Sequence, residues 1–428
     1  MPDSRVQRLA QGLPFFYGWV ILGAVSCACL SRAGPAVATL SIFITPMTTE
    51  FGWTRTEISG AVSLGGVLAA ISSPMIGNYL DRKGPRVILG MAVLATGITL
   101  MALSQIQSLL GFYLLYCVAR MNWAGPYDLG IHGALSNWFV RQRAWVASLA
   151  QLAQTIGLII MPFIGYAMIE RYGWRTGWLV IGICVLAVGF LPGWLLIVRR
   201  PEDIGLVPDG TLATPMVAAG AGSGGDTTPA KAEEPAYTRE EALRTRAFWT
   251  LALFTSMIYP VQAGMSLHQA AHMIEIGLSP ANAATAVSLF TATSAITGFS
   301  YGLLGRGVSV KGALAVGGVI LAASALVMVR ATSFPEALLA GALFGAGIGA
   351  VHVILPVAWA DYFGRKSFGA IRGVALSIQV GAQAAGPLMS GILRDYTGNY
   401  TASLVLFGTL SLLGALAALL TRAPSRAM

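Results

Sequence analysis

Charge is what this sequence has least of. Only 11% of its 428 residues are Asp, Glu, Lys or Arg, under half of the ~25% usual in a soluble globular chain. The 27 basic and 18 acidic side chains are too few to coat a soluble protein of this length, which argues against a soluble enzyme or a disordered chain. Cysteine is scarce as well. Cys27, Cys29, Cys117 and Cys184 all lie in apolar stretches without a CxxC pair, so they read as small buried hydrophobes rather than as a disulfide or thiolate-metal framework. No GxxxxGK[ST] motif occurs, which removes the phosphate cradle of an ATP-driven pump. No basic run interleaved with aromatics occurs either, so no nucleic-acid partner is expected. What the chain does have is apolar surface: 55% hydrophobic residues and 51 glycines, with a mean hydropathy of +0.69. That is the composition of a multi-pass membrane protein.

A bilayer core of ~30 Å asks for about 20 apolar residues per helix. Twelve segments satisfy this: 16–45, 57–79, 86–105, 108–136, 144–169, 174–198, 247–273, 281–304, 311–330, 335–361, 370–393 and 399–421. The basic start and apolar run of residues 1–29 imitate a signal peptide, but the spans that follow make this the first membrane helix. Twelve spans put both termini on one side. Twenty of the 27 basic residues fall in the termini and in the loops of that side, among them Arg82, Lys83, Arg86, Arg141, Arg143, Arg199, Arg365 and Arg372. By the positive-inside rule both termini are cytoplasmic, and the net charge of +9 marks one membrane face. Trp19, Trp53, Trp174 and Tyr400 at span ends read as interfacial anchors.

The spans divide six and six around residues 199–246. This break opens with Pro-Glu-Asp-Ile-Gly-Leu-Val-Pro-Asp-Gly (201–210) and continues through a small-residue stretch with GAGSGGD, read as a flexible cytoplasmic linker. Thr238 and Glu241 form a capping box for a short helix before Phe248. The halves, 1–198 and 247–428, repeat one another. Glu50-Phe-Gly-Trp and Ala61-Val-Ser-Leu return 225 residues later as Glu275-Ile-Gly-Leu and Ala286-Val-Ser-Leu, and Gly77 returns as Gly302. Phe139 and Pro162 are matched by Phe363 and Pro387. A parallel duplication of this kind is expected where two bundles rock about a midplane site.

Gly77-Asn-Tyr-Leu-Asp-Arg-Lys-Gly-Pro-Arg86 resembles the loop 2–3 signature of the major facilitator superfamily. Phe16-Tyr-Gly-Trp19, Trp138-Phe-Val-Arg-Gln-Arg143, the 201–210 segment and the run from Tyr362 to Gly373 resemble the bacterial monocarboxylate and oxalate/formate porters. The resemblance implies an all-α membrane protein with the major facilitator fold, twelve helices in two six-helix bundles. It implies a monomeric inner-membrane carrier of a small organic anion, without cofactor or metal, embedded in lipid. Asp81 with Arg82 and Arg86 would be its cytoplasmic gate latch, or on a plainer reading loop caps. Porters of this kind often carry a cation in span 8, whereas residues 281–305 hold no charge at all.

An ionised side chain in a span costs about 2.5–3.5 kcal/mol on insertion scales, so each one kept there is a functional candidate. Arg32 lies in span 1 and Arg120 in span 4, with Asn122, Tyr127, Asp128 and His132. On an unbroken helix Tyr127 would lie about 20° and Asp128 about 80° around from Arg120, on one stripe. Asp128 and His132 are one turn apart, and His352 occupies the repeat position of Asp128, facing it across a central cavity. The expectation is that Arg32, Arg120, Asn122, Tyr127 and His352 bind an organic anion. Asp128 and His132 would carry a coupling proton, histidine titrating in the physiological range. Plainer readings pair Arg120 with Asp128, or use Arg32 to bond a neighbouring helix's carbonyls. His268 and His272, near the outer end of span 7, are packing residues or ligands. Two histidines fall short of a zinc site. The reading is proton-coupled symport by alternating access, with anion exchange or export without net proton movement, or a ligand sensor, as alternatives.

Overall fold

The computed structural model describes residues 4–210, 235–304 and 309–424, all helices and connections with no strand among them. The GAGSGGD stretch, Lys231, Arg306 and Arg426 lie outside these residues. A short helix α1 (Ser4–Gly12) precedes the first crossing, which is broken into α2 (Gly18–Arg32) and α3 (Val37–Phe51). The break contains Gly34 and Pro35, and proline removes a helical N–H and turns its predecessor out of the helix. Helix α4 (Arg55–Lys83) opens on a capping box: Thr54 Oγ1 accepts from the Glu57 N–H at 3.2 Å, and Glu57 Oε2 accepts from the Thr54 N–H at 2.7 Å. Gly84, at φ 85°, and Pro85 turn the chain into α5 (Pro85–Leu103). The fourth crossing is also broken, into α6 (Leu109–Ala124) and α7 (Pro126–Trp138), at Gly125. Helices α8 (Arg143–Tyr172) and α9 (Trp174–Val185) follow, and α9 runs through a π-helical turn into α10 (Leu191–Leu196).

The second half is more regular. After α11 (Arg239–Leu243), capped by Thr238 and Glu241 as the sequence suggests, come α12 (Arg246–Glu275), α13 (Pro280–Leu304), α14 (Val310–Arg330), α15 (Phe334–Phe363), α16 (Phe368–Thr397) and α17 (Thr401–Leu420). Helices lie at all twelve expected spans. Among the described residues, nine helical segments are long and apolar enough to cross a membrane. The break at Gly125 shortens the α6–α7 crossing, and α12 and α16 are less apolar because they carry the polar residues described below.

Each half buries its own apolar core. In the first, Phe43 stacks on Trp178 at 3.9 Å; in the second, Phe248 packs on Trp359 at 5.3 Å. The repeat is physical. Gly52 and Gly277 both take positive φ, 69° and 94°, at equivalent turns. The acids preceding them make equivalent ion pairs, Glu50 with Arg175 at 2.6 Å and Glu275 with Arg394 at 2.8 Å. Gly77 and Gly302 each mark a seam between halves. A Cβ at Gly77 on α4 would collide with the Gly369 carbonyl of α16, and one at Gly302 on α13 with the Ser148 hydroxyl of α8. Trp174 and Tyr400 are not surface anchors. Both are buried, Trp174 donating Nε1 to Glu50 and Tyr400 lying beside His268.

The start of the linker is folded rather than flexible. Residues 201–204 and 208–210 form 3-10 turns, and Asp209, at φ 60°, accepts backbone N–H bonds from Val140, Arg141 and Gln142. Glu202 pairs with Arg365 of the second half. The 200–210 segment therefore ties the α7–α8 turn to the α15–α16 turn.

Candidate functional site

The break at Gly125 creates the site. A helix ending at Ala124 leaves its last carbonyls without intrahelical partners. Arg32, itself the last residue of α2, fills one of them: its Nε donates to the Trp123 carbonyl at 2.9 Å. A cation at a helix C-terminus is electrostatically favoured. By the same logic Asp128, in the first turn of α7, places an anion at a helix N-terminus.

A chain of polar contacts then crosses the molecule. Gln154 of α8 accepts from Arg32 Nη1 at 3.0 Å, and Arg32 Nη2 lies 3.6 Å from Asp128 Oδ2. From the second half, Arg372 of α16 donates Nη2 to Asp128 Oδ1 at 3.1 Å and to Gln379 Oε1 at 2.9 Å. His132 Nε2 stands 4.0 Å from Asp128. His352 lies within charge–charge range of Arg32 and Asp128, with Tyr259 at 6.4 Å between ring centroids.

Arg372 was counted above with the basic loops, and that is corrected: it is 1% exposed and crosses the seam between halves. Arg143, counted the same way, is buried and pairs with Asp361 at 2.8 Å. Arg120 and Asp128 do not form the stripe expected of an unbroken helix. Arg120 instead lays its guanidinium over the Trp123 ring at 4.0 Å, with Arg32 at 4.9 Å from the same ring. Nε and Nη1 of Arg120, and Nε and Nη1 of Arg372, are buried without a hydrogen-bond partner among the described residues. Asn122 and Tyr127 pack into the first-half core, Asn122 donating to Thr96 at 3.4 Å and Tyr127 fully buried. His268 and His272 bond the carbonyls of Pro387 and Met328, and no metal-binding group of His, Cys, Asp and Glu occurs among the described residues.

Trp123, Gln154, Arg372 and Gln379 are the site residues that sequence reasoning missed. Two signals were available: a glycine-proline pair inside a membrane span, and uncharged amides in otherwise apolar helices. Two guanidinium groups, Arg32 and Arg372, flank the Asp128 carboxylate, and a third, Arg120, stands beside Arg32 on the Trp123 ring, so the cluster carries a surplus of two positive charges. At the basic-loop end the halves are closed. Asp81 accepts N–H bonds from Gly369 (2.8 Å) and Ala370 (2.7 Å) at the start of α16, and Arg199 donates to the Asp81 carbonyl. Arg82 is exposed, and Arg86 stacks over Trp194 at 5.4 Å.

Comparison with known proteins agrees with this architecture. The family profile described as Major Facilitator Superfamily matches residues 21–273. The chain is 25% identical to the probable L-galactonate transporter of Escherichia coli (strain K12), over 97% of this chain and 89% of that one. It is also 25% identical to monocarboxylate transporter 11 of Homo sapiens, over 93% of this chain and 81% of the other. The crystal structure of the human organic anion transporter MFSD10 (TETRAN) superposes with a TM-score of 0.70 at 15% identity, covering 98% of this chain and 100% of that one. With the duplicated bundles and the profile match in hand, the chain belongs to the major facilitator superfamily of multi-pass membrane transporters.

Proposed function

We propose that the protein is a secondary transporter of a small organic carboxylate, working by alternating access with a coupling proton. The surplus of positive charge carries this reading, because four guanidinium nitrogens, Nε and Nη1 of Arg120 and of Arg372, are buried there without hydrogen-bond partners among the described residues. A buried donor left unmade costs ~1–3 kcal/mol, more if charged, and a carboxylate matches a guanidinium in charge and planar geometry. The relatives named for L-galactonate and monocarboxylates share a carboxylate as their common chemistry. Arg120 and Arg372 are assigned to the substrate carboxylate, and Arg32, fully engaged by Trp123, Gln154 and Asp128, to holding the site in shape. Asp128 and His132 exchange the proton. Protonation of Asp128 weakens its hold on Arg372 and so loosens the ion pair between the halves. Asp81 of α4, accepting N–H bonds from the start of α16, latches the closed end, which on the positive-inside rule is the cytoplasmic face of a bacterial inner membrane.

Reconstitution tests this directly. In proteoliposomes, a pH gradient, acid outside, is expected to drive accumulation of a labelled carboxylate, and Asp128→Asn to abolish gradient-driven accumulation. Uptake by exchange alone, indifferent to the gradient, contradicts proton coupling and leaves anion exchange.

A further inference from the structure

The second half contributes one full charge to the site, Arg372; beside it stand His352, Tyr259 and a set of neutral amides. On α16, Arg372, Gln379 and Gln383 recur at seven and four residues, within about 40° of one another around the helix. Since Arg372 reaches Asp128 across the seam, this stripe faces the space between the halves. On α12, Tyr259, Gln262 and Ser266 form the facing stripe. Gln383 Nε2 donates to Gln262 Oε1 at 2.9 Å, and Gln262 Nε2 lies 3.5 Å from Ser266 Oγ. Gln262 and Gln383 are both half-buried, so neither side chain is sealed in the core of its bundle. Gln154 adds an amide from the first half.

Resting on the carboxylate reading above, we infer that the transported acid is polyhydroxylated, a sugar-acid type of substrate, and that Gln262 and Gln383 read its hydroxyl groups. An amide presents both a donor and an acceptor, as a hydroxyl does, so a hydroxylated chain replaces amide–amide bonds without loss. A plain hydrocarbon tail covers the same amides and takes water from whatever donor and acceptor capacity their mutual bond leaves over, the situation in which a polar site discriminates most strongly. Size agrees. Gln383 lies one turn beyond Gln379, about 6 Å along the axis and within reach of roughly four to six carbons from a carboxylate held at Arg372.

Isothermal titration of the purified full-length protein with D-gluconate and with hexanoate tests the inference, the two acids sharing carboxylate and chain length. Gluconate is expected to bind at least about tenfold more tightly, one hydrogen bond's worth. Gln383→Leu and Gln262→Leu, checked for folding by their melting transitions, are expected to bring the ratio towards one. The wild-type comparison decides the matter even where a variant does not fold. Equal or tighter binding of hexanoate overturns the hydroxyl assignment and leaves the carboxylate site standing. Binding of neither acid, nor of lactate, overturns both.

Discussion

Among the individual residues, Arg120 and Asp128 of the polar cluster behave oppositely. Arg120 stacks on Trp123 but leaves two of its nitrogens without hydrogen-bond partners, so its charge is a burden on the empty fold. Arg120→Leu is expected to melt at or above the wild-type temperature. Asp128 is the reverse case. It neutralises Arg32 and Arg372 together, and removing one partner of a buried charge cluster costs about 3–5 kcal/mol. Asp128→Leu is therefore expected to lower the melting temperature clearly, read by a scanning fluorescence melt in detergent. A melt in which Arg120→Leu is the less stable of the two contradicts this division. The same melt separates the arginine assigned above to the ligand from the residue proposed to hold the site together, which composition cannot do. Arg32 and Arg120 stood out in the sequence because charge is rare in spans. Arg372 did not, because it lies six residues past Lys366 and a loop count absorbs it.

Helix ends and seams decide how the halves meet. Gly77 on α4 packs its backbone against Gly369 on α16, and a Cβ there has nowhere to go because the obstacle is main chain. Gly77→Val is expected to wedge open the closed end. Labelling by a membrane-impermeant maleimide at Ser377→Cys, in the same seam where Ser377 donates to the Ala70 carbonyl, is expected to rise several-fold. Unchanged labelling contradicts the seam's role. Asp81→Ala, which strips the cap from the start of α16 at a cost of ~1 kcal/mol, is expected to act in the same direction more weakly. The spans themselves were legible from hydropathy alone, since lipid permits little besides helices. Their interruptions were less so. Pro35 and Pro126 were visible, but Pro46, Pro74, Pro162, Pro260, Pro356 and Pro387 are carried inside continuous helices. A proline alone does not say which outcome the neighbours will enforce. The fold of the 201–210 segment was hidden for a different reason: Asp209 gathers three N–H groups from a turn nearly seventy residues away, and nothing local announces such a contact.

At the scale of the molecule, the two bundles are symmetric in scaffold and asymmetric in chemistry. The repeat reproduces the glycine turns, the Glu–Arg pairs and the seam glycines. The first half supplies Arg32, Arg120 and Asp128, while the second supplies Arg372 and the amides. The substrate proposed above, with an anionic head and a neutral polar body, would span that difference and have all its groups paired only when both halves close on it. In the mechanism proposed above, alternating access follows from one ion pair, Arg372 with Asp128, that belongs to both halves and competes with the substrate for the same guanidinium.

The most direct test of the central claim is calorimetric titration of wild-type protein and Arg120→Leu with acetate, lactate, hexanoate and D-gluconate. The account predicts saturable binding of at least one acid to the wild type. It predicts a loss of ~1.5–3 kcal/mol, roughly ten- to a hundredfold, in the variant, with no fall in its melting temperature. Equal affinity in the two proteins would contradict the assignment of Arg120 to the substrate carboxylate.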